Sequence, residues 1–312
     1  MPRSLVLGVN GQDGSYLAEA LLSRGHEVVG VGRNAESLYV RPSADFRYVA
    51  LDLRDADALA ALVADVAPDQ AFHVAAIHGA AGFTYETQWR DMMMVNVLSL
   101  HVLLEHARVV PHLRIVYANS SKIFEPPLSG VIDETTAVRA TCLYGIGKIT
   151  ARDLMSYYRT AHGVRSTNLI LFNHESPRRP PEYLLPMLAR AIVAAKRNSK
   201  HQTSIKTLDF WMDWGAAEEF MEIAADIAEK TDEPEFVLAS GATWLGRAAA
   251  KHLFATHGLD ADRYLVETLG PQEPGPEFRV SLERLQRAIG RTPQQDIGQI
   301  VNAMIDSMGV PA

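Results

Sequence analysis

Cysteine is almost missing from this chain: Cys142 is the single one in 312 residues. One thiol excludes an internal disulfide framework and a multi-cysteine metal site, and it fits a reducing, cytoplasmic setting. Long apolar runs are missing too. The N-terminal apolar stretch stops at Gly8, too short for a signal peptide or a membrane span, so a soluble protein is expected. No basic block is present. The formal net charge is −7, from 30 basic and 37 acidic side chains, which argues against nucleic-acid binding by a charged face. The 11 histidines show no metal-ligand spacing, so no metal is expected. No internal repeat or low-complexity linker interrupts the chain.

What is present is the material of a folded domain. Hydrophobic residues make up 47% and charged residues 21%, enough for a sizeable core. Apolar strand-like runs alternate with helix-like runs. Strands are expected over Ser4–Val9, Glu27–Val31, Arg47–Leu51, Gln70–Val74, Leu113–Ala118 and Arg165–Phe172. Between them, helices are expected over Asp13–Arg24, Asp55–Val66, Gln88–Arg108 and Tyr144–His162. Alternation of this kind implies an α/β fold, a doubly wound parallel sheet of the Rossmann type. Residues 1–172 are assigned to that domain, its sheet completed by later segments. After Phe172 the pattern changes at the proline-rich loop Pro177–Pro181. Residues 173–312 then read as a smaller, mostly helical substrate lobe, with helices over Leu184–Arg197 and Ala216–Lys230 and a strand over Glu235–Ala239. A cleft between the two parts, at the carboxyl ends of the strands, is the expected ligand site.

The first strand leads into Gly8-Val-Asn-Gly11-Gln12-Asp13-Gly14. Glycines so spaced permit a tight turn, close approach of backbone to a pyrophosphate, and close helix–strand packing. The context of strand, turn and helix is the one a dinucleotide requires; an ordinary glycine loop is the alternative. At the end of the second strand an acid suits NAD and a cation suits the phosphate of NADP. Arg33 stands there, so NADP is expected before NAD, with a solvated surface arginine as the alternative. Asp52 and Leu53 after the third strand are placed near the adenine, and Ala75 and Ala76 after the fourth along the cofactor.

Tyr144 and Lys148 lie four residues apart on one helical face. A neighbouring lysine lowers a phenol's pKa, which would let Tyr144 exchange a proton with a sugar hydroxyl. Ser120, after the fifth strand, supplies the hydroxyl that completes the set. Cys142 reads as a small packed side chain, not a nucleophile. Phe210, Trp211 and Trp214 either line a base or sugar pocket or pack in the core.

At these residues the chain resembles a known family. Gly8-Val-Asn-Gly-Gln-Asp-Gly-Ser-Tyr-Leu-Ala-Glu19, Leu171-Phe-Asn-His-Glu-Ser-Pro-Arg-Arg179 and Asp213-Trp-Gly215 are similar to GDP-mannose 4,6-dehydratases. The resemblance implies a tightly held NADP, hydride removal from sugar C4, loss of water across C5 and C6, and hydride return to C6. It implies Tyr144 as base at the C4 hydroxyl, supported by Lys148 and Ser120. It also implies cofactor contacts from Gln12, Asp13, His174 and Arg179, and substrate contacts from Ser121 and Asn173. Many relatives form homo-oligomers, so a dimer or tetramer is expected. Two departures stand out. Where the family has Thr-Ser-Glu after the fifth strand, this chain has Ser120-Ser121-Lys122, so Lys122 stands in place of the glutamate base. The family's basic pair falls on Pro186 and Met187, and an arginine falls on Met212. Arg190 and Arg279 are the candidate replacements at the substrate. Three readings follow: a 4,6-dehydratase-like enzyme using Lys122, a 4-epimerase or 4-keto-sugar reductase without the elimination, and a non-catalytic NADP-binding sensor.

Overall fold

A computed structural model of the chain describes residues 1–79 and 82–309. β1 (Arg3–Leu7) turns into α1 (Gln12–Ser23), followed by β2 (Glu27–Gly32), β3 (Phe46–Ala50), α2 (Ala56–Val66) and β4 (Gln70–His73). A continuous helical run then comprises α3 (Trp89–Met93), a π-helical turn at Met94–Leu98, and α4 (Ser99–Val109). Next come β5 (Arg114–Ser120), β6 (Gly130–Ile132), α5 (Leu143–His162), β7 (Arg165–Leu171) and β8 (Asn173–Glu175). The remainder contains α6 (Leu184–Arg197), β9 (Thr203–Ile205), β10 (Trp211–Ala216), α7 (Ala217–Lys230), β11 (Glu235–Leu238) and β12 (Thr243–Leu245). It ends with α8 (Gly246–Thr256), α9 (Ala261–Tyr264), β13 (Leu265–Glu267), β14 (Phe278–Val280), α10 (Glu283–Ile289) and α11 (Ile297–Ser307).

Seven strands form the main sheet in the order β11-β7-β5-β4-β1-β2-β3. Every pairing in it is parallel. Burial on both faces explains the unbroken apolar runs of β1 and β5. One face is covered by α1, α7 and α10 through Leu17, Leu21, Phe220, Ile223 and Leu285; the other by α2, α4 and α5 through Leu59, Leu100, Leu104 and Met155. Strand order reverses between β1 and β4, and there the strand ends open a crevice.

A second core gathers Leu188, Ile192, Leu253, Phe254, Val301 and Met304 from α6, α8 and α11. It carries short strands as well as helices: β8 and β12 flank β10, and β9 pairs with β13. The later chain returns to the main sheet as the expected strand near Glu235, which becomes its edge strand β11. Buried Asp213 ties this return in place by accepting from the backbone N–H groups of Ser240 at 2.7 Å and Gly241 at 2.9 Å. Among the described residues no helix is long and apolar enough to cross a membrane, and no cluster of potential metal ligands occurs.

Candidate functional site

The crevice is a cleft of about 1370 Å³ running from the glycine turn to the second core. Gly8 has φ +99°, and a Cβ there would lie 2.7 Å from the Ala75 backbone. Gly14 sits in the first turn of α1, where a Cβ would lie 2.2 Å from the Gly8 carbonyl oxygen. Gly8 and Gly11 line the cleft, whereas Gly14 is packed behind it. Gly11 caps α1 without a side-chain hydrogen bond, so the positive end of the helix faces the cleft uncovered by its own chain. A Cβ at Gly8 or Gly14 would collide with the backbone that shapes this cradle, and the cradle fits a dinucleotide pyrophosphate.

Two long-range clamps set the turn. Gln12 donates to the His174 carbonyl at 3.1 Å and accepts from the Ser176 hydroxyl at 2.8 Å. The Asp13 carboxylate lies 2.9 Å from His174 Nε2, while His174 Nδ1 lies 2.7 Å from the Phe172 carbonyl. Burial pushes the Asp13 carboxyl up, but the His174 charge and hydrogen bond prevail and hold it well below the carboxylate range. Burial likewise opposes the His174 charge, and Asp13 prevails in raising it. The histidine expected at the cofactor is therefore committed on both nitrogens to the protein.

At the other end of the turn, Asn10 organises the loop after β2. It donates to Tyr48 Oη at 3.1 Å and to the Glu36 carbonyl at 3.0 Å, and it accepts from Leu38 N–H at 2.9 Å. Arg33 lines the cleft beside this loop, as do Leu53, Ala75 and Ala76. Asp52 is not in the lining. Arg54 holds its carboxylate, with Nε and Nη2 contacts of 3.0 and 2.6 Å, and lowers its pKa. Arg178, unassigned from the sequence, packs its guanidinium over Tyr16 at 4.0 Å and Tyr39 at 4.9 Å.

Ser120 ends β5, and Tyr144 and Lys148 occupy the first turns of α5, so all three converge on the cleft. Cys142 caps that helix by accepting from Gly145 N–H at 3.4 Å, which is why it is half-buried there. Lys148 is 1% exposed; its ammonium donates to Tyr117 Oη at 3.0 Å and the Ala118 carbonyl at 2.5 Å. Burial holds that ammonium down to about 7. The expected lowering of the Tyr144 phenol is not found. Burial, and then Tyr85, push it up, against a contact with the Ser120 hydroxyl. The reason is direction: Lys148 turns inward beneath the phenol ring, 5.5 Å from its centroid, and spends its donors on Tyr117 and Ala118.

Ser121, Lys122 and Asn173 line the cleft, with Lys122 on the short 3₁₀ turn after β5. Phe210, Trp211 and Trp214 line it too, Trp214 from the second core. Arg190 and Arg279 do not. Both are exposed outside the lining, Arg190 donating to the Pro181 carbonyl at 3.1 Å. Four further cleft side chains besides Arg178 escaped the sequence reading. His78 and Tyr85 flank Tyr144, with Tyr85 stacked on it at 5.8 Å and 18°, and Tyr183 packs against His78. Glu175 is buried at 3.3 Å from Arg179, and burial pushes its carboxyl up to about 7 against that arginine. The available signal was position: His78 follows Ala75-Ala76 beyond the carboxyl end of β4.

Comparison with known proteins agrees with this geometry. The family model described as GDP-mannose 4,6 dehydratase matches residues 5–284. GDP-mannose 4,6 dehydratase 2 of Caenorhabditis elegans is 29% identical over 336 residues, covering 97% of this chain and 88% of that protein. The solved UDP-glucose 4-epimerase of Thermotoga maritima, with UDP-glucose, superposes with a TM-score of 0.84 at 16% identity, over 98% of each chain. The dTDP-glucose 4,6-dehydratase of Bacillus anthracis, in complex with NAD, superposes with a TM-score of 0.82 at 13% identity, over 99% of this chain and 97% of that one. These likenesses show the shared fold.

Proposed function

Because this chain belongs to the GDP-mannose 4,6-dehydratase family, we propose that it is an NADP-dependent enzyme that dehydrates a nucleotide sugar. The observation that carries the reading is the convergence of Ser120, Tyr144 and Lys148 on the same cleft as the glycine cradle. Gly8, Gly11 and the α1 N-terminus would hold the pyrophosphate, with Ala75 and Ala76 along the cofactor and Arg33 at the adenosine end. When bound, the nicotinamide supplies reversible hydride acceptance.

The protein's own part is proton handling. Tyr144 takes the proton of the sugar C4 hydroxyl, and the Ser120 hydroxyl holds that oxygen in line. Filling the cleft brings new polar neighbours to Tyr144 and Lys148, the change that a phenol raised by burial needs in order to ionise. Lys122 serves the elimination of water from C5 and C6. Ser121 and Asn173 orient the sugar.

Mass spectrometry tests this directly. Purified protein with GDP-, UDP-, CDP- and TDP-hexoses, and no added cofactor, is expected to yield a product lighter by one water. No such product from any of them would refute dehydration. A second reading has its own support: lysine stands where the family has glutamate, and Met187 and Met212 line the cleft where it has cations. Under that reading the protein is a 4-epimerase or a 4-keto-sugar reductase. Net consumption of NADPH with a keto sugar marks a reductase, and a C4 epimer of unchanged mass marks an epimerase.

A further inference from the structure

A second titratable group besides Lys148 lies next to Tyr144. His78 lies on the cleft wall beyond β4, its ring centroid 6.0 Å from that of Tyr144 and tilted by 43°. Its Nδ1 is 3.2 Å from the Tyr183 hydroxyl. Tyr183 in turn is covered by the Arg179 guanidinium, 3.6 Å from its ring centroid. The imidazole is thus held at one nitrogen by a phenol that is itself fixed by an arginine, and its other edge is left toward the cleft.

The chemistry of such an arrangement is specific. With the proton on Nδ1 and shared with the Tyr183 oxygen, Nε2 carries the lone pair. His78 is exposed along the cleft wall, yet desolvation by the surrounding wall, and then the Arg179 charge, hold the imidazole below its ordinary value, so it is neutral at neutral pH and able to accept a proton. The other imidazole lining the cleft, His174, has both nitrogens engaged. Lys122 has a different capability: a lysine ammonium is a donor.

We propose that His78 is a second proton-transfer residue of this cleft. It takes the proton from the sugar carbon next to the carbonyl formed at C4, while Lys122 gives one to the departing C6 hydroxyl. The inference rests on the dehydratase reading. The C5–H bond breaks, its electron pair becomes the C5–C6 double bond, and the C6–O bond breaks as hydroxide gains the Lys122 proton and leaves as water. When the double bond is reduced, His78 returns its proton to C5. The proton that Tyr144 took from the C4 hydroxyl restores Lys122.

The test compares wild type with His78→Asn, which keeps an amide toward Tyr183 but has no base, and with Lys122→Met. Two measurements are made: water loss from the active nucleotide hexose, and deuterium uptake from D₂O beside the carbonyl of an offered 4-keto-6-deoxy sugar. His78→Asn is expected to lose about 10²- to 10⁴-fold in both. Its bound cofactor should accumulate in the reduced form, seen by near-ultraviolet absorbance, because oxidation at C4 survives. Lys122→Met should lose water formation and keep deuterium uptake. Uptake retained in His78→Asn, or lost in Lys122→Met instead, overturns the proposal. If wild type dehydrates nothing, the dehydratase reading falls separately, and uptake still decides. Uptake present in wild type and lost in His78→Asn upholds His78, and no uptake in wild type rejects it. Should His78→Asn fail to fold by thermal unfolding, His78→Gln is measured in its place.

Discussion

Gly11 and Gly14 stand three residues apart in one motif, yet the geometry separates their roles into one that a ligand feels and one that the fold feels. A methyl on Gly14 would lie 2.2 Å from the Gly8 oxygen, 2.6 Å from the Gly8 carbonyl carbon and 2.7 Å from Val9 Cα. All three are backbone atoms, so no side chain can swing aside. Ordinary contact begins near 3.4 Å, so α1 must back away from the β1 turn by about 1.2 Å. Overpacking of this kind costs about 1–3 kcal/mol. The helix-propensity gain of alanine over glycine offsets up to about 1 kcal/mol of that. Gly14→Ala is therefore expected to lose up to about 2 kcal/mol of stability with the full offset, and a drop of several degrees in melting temperature follows. A methyl on Gly11 meets only the Gly8 oxygen, at 3.3 Å, and Gly11 has an ordinary φ of −84°. Gly11→Ala should stay within about 0.5 kcal/mol of wild type, while its methyl enters the cleft where the pyrophosphate is proposed to lie. Thermal unfolding without ligand and NADP titration by fluorescence separate the two. The expected result is a stable Gly11→Ala with affinity at least about tenfold weaker, and a Gly14→Ala that loses melting temperature as well. Gly14→Ala melting and binding like wild type would refute the close-approach argument; Gly11→Ala melting as low as Gly14→Ala would refute the division of roles.

Tyr144→Phe is expected to cut turnover about 10²- to 10⁴-fold with NADP affinity little changed, measured by product formation and titration; equal loss in both would make the phenol a packing group. Arg33→Ala should lower the preference for NADP over NAD about 10- to 100-fold in paired titrations, the worth of one charge-assisted hydrogen bond; an unchanged ratio would return Arg33 to the solvent. Glu175→Gln addresses pH. Its carboxyl is raised in the fold from 4.5 to about 7, so the folded protein holds a proton that the unfolded chain has released, and stability falls as pH rises through that window. Glutamine removes this part of the slope, roughly 3 kcal/mol across the window, leaving the part from Asp213, whose carboxyl burial raises to about 6. Denaturant unfolding of the ligand-free protein at pH 5 and pH 8 should show Glu175→Gln gaining on wild type at the higher pH; a parallel decline in both would refute it.

The sequence was legible wherever a repeating pattern had length to act on. The strand expected over Glu27–Val31 appears as Glu27–Gly32, and the helix expected over Leu184–Arg197 has those ends. The three-residue strands β8, β9 and β12 were not legible, because three residues cannot display a period of two against the turns around them. In the cleft the same limit falls on direction. Four-residue spacing correctly put Tyr144 and Lys148 on one face of α5, but spacing says nothing about which acceptors a lysine stem reaches, and Lys148 reached inward to Tyr117 and Ala118. Arg178 and Arg179 make the case more sharply. They are adjacent in the chain and have different neighbours in the cleft. Arg178 lies between Tyr16 and Tyr39, bonded to Glu19 at 2.7 Å, beside the loop that carries Arg33. Arg179 lies between Glu175 and Tyr183, at the reactive end. Successive side chains diverge on an extended or turning backbone, so a pair of cations in the sequence need not make one anion site. For this chain that divergence has a consequence. Of the two arginines after Pro177, Arg179 is the one that contacts Tyr183, and under the proposal for His78 it is the one that bears on the proton transfer.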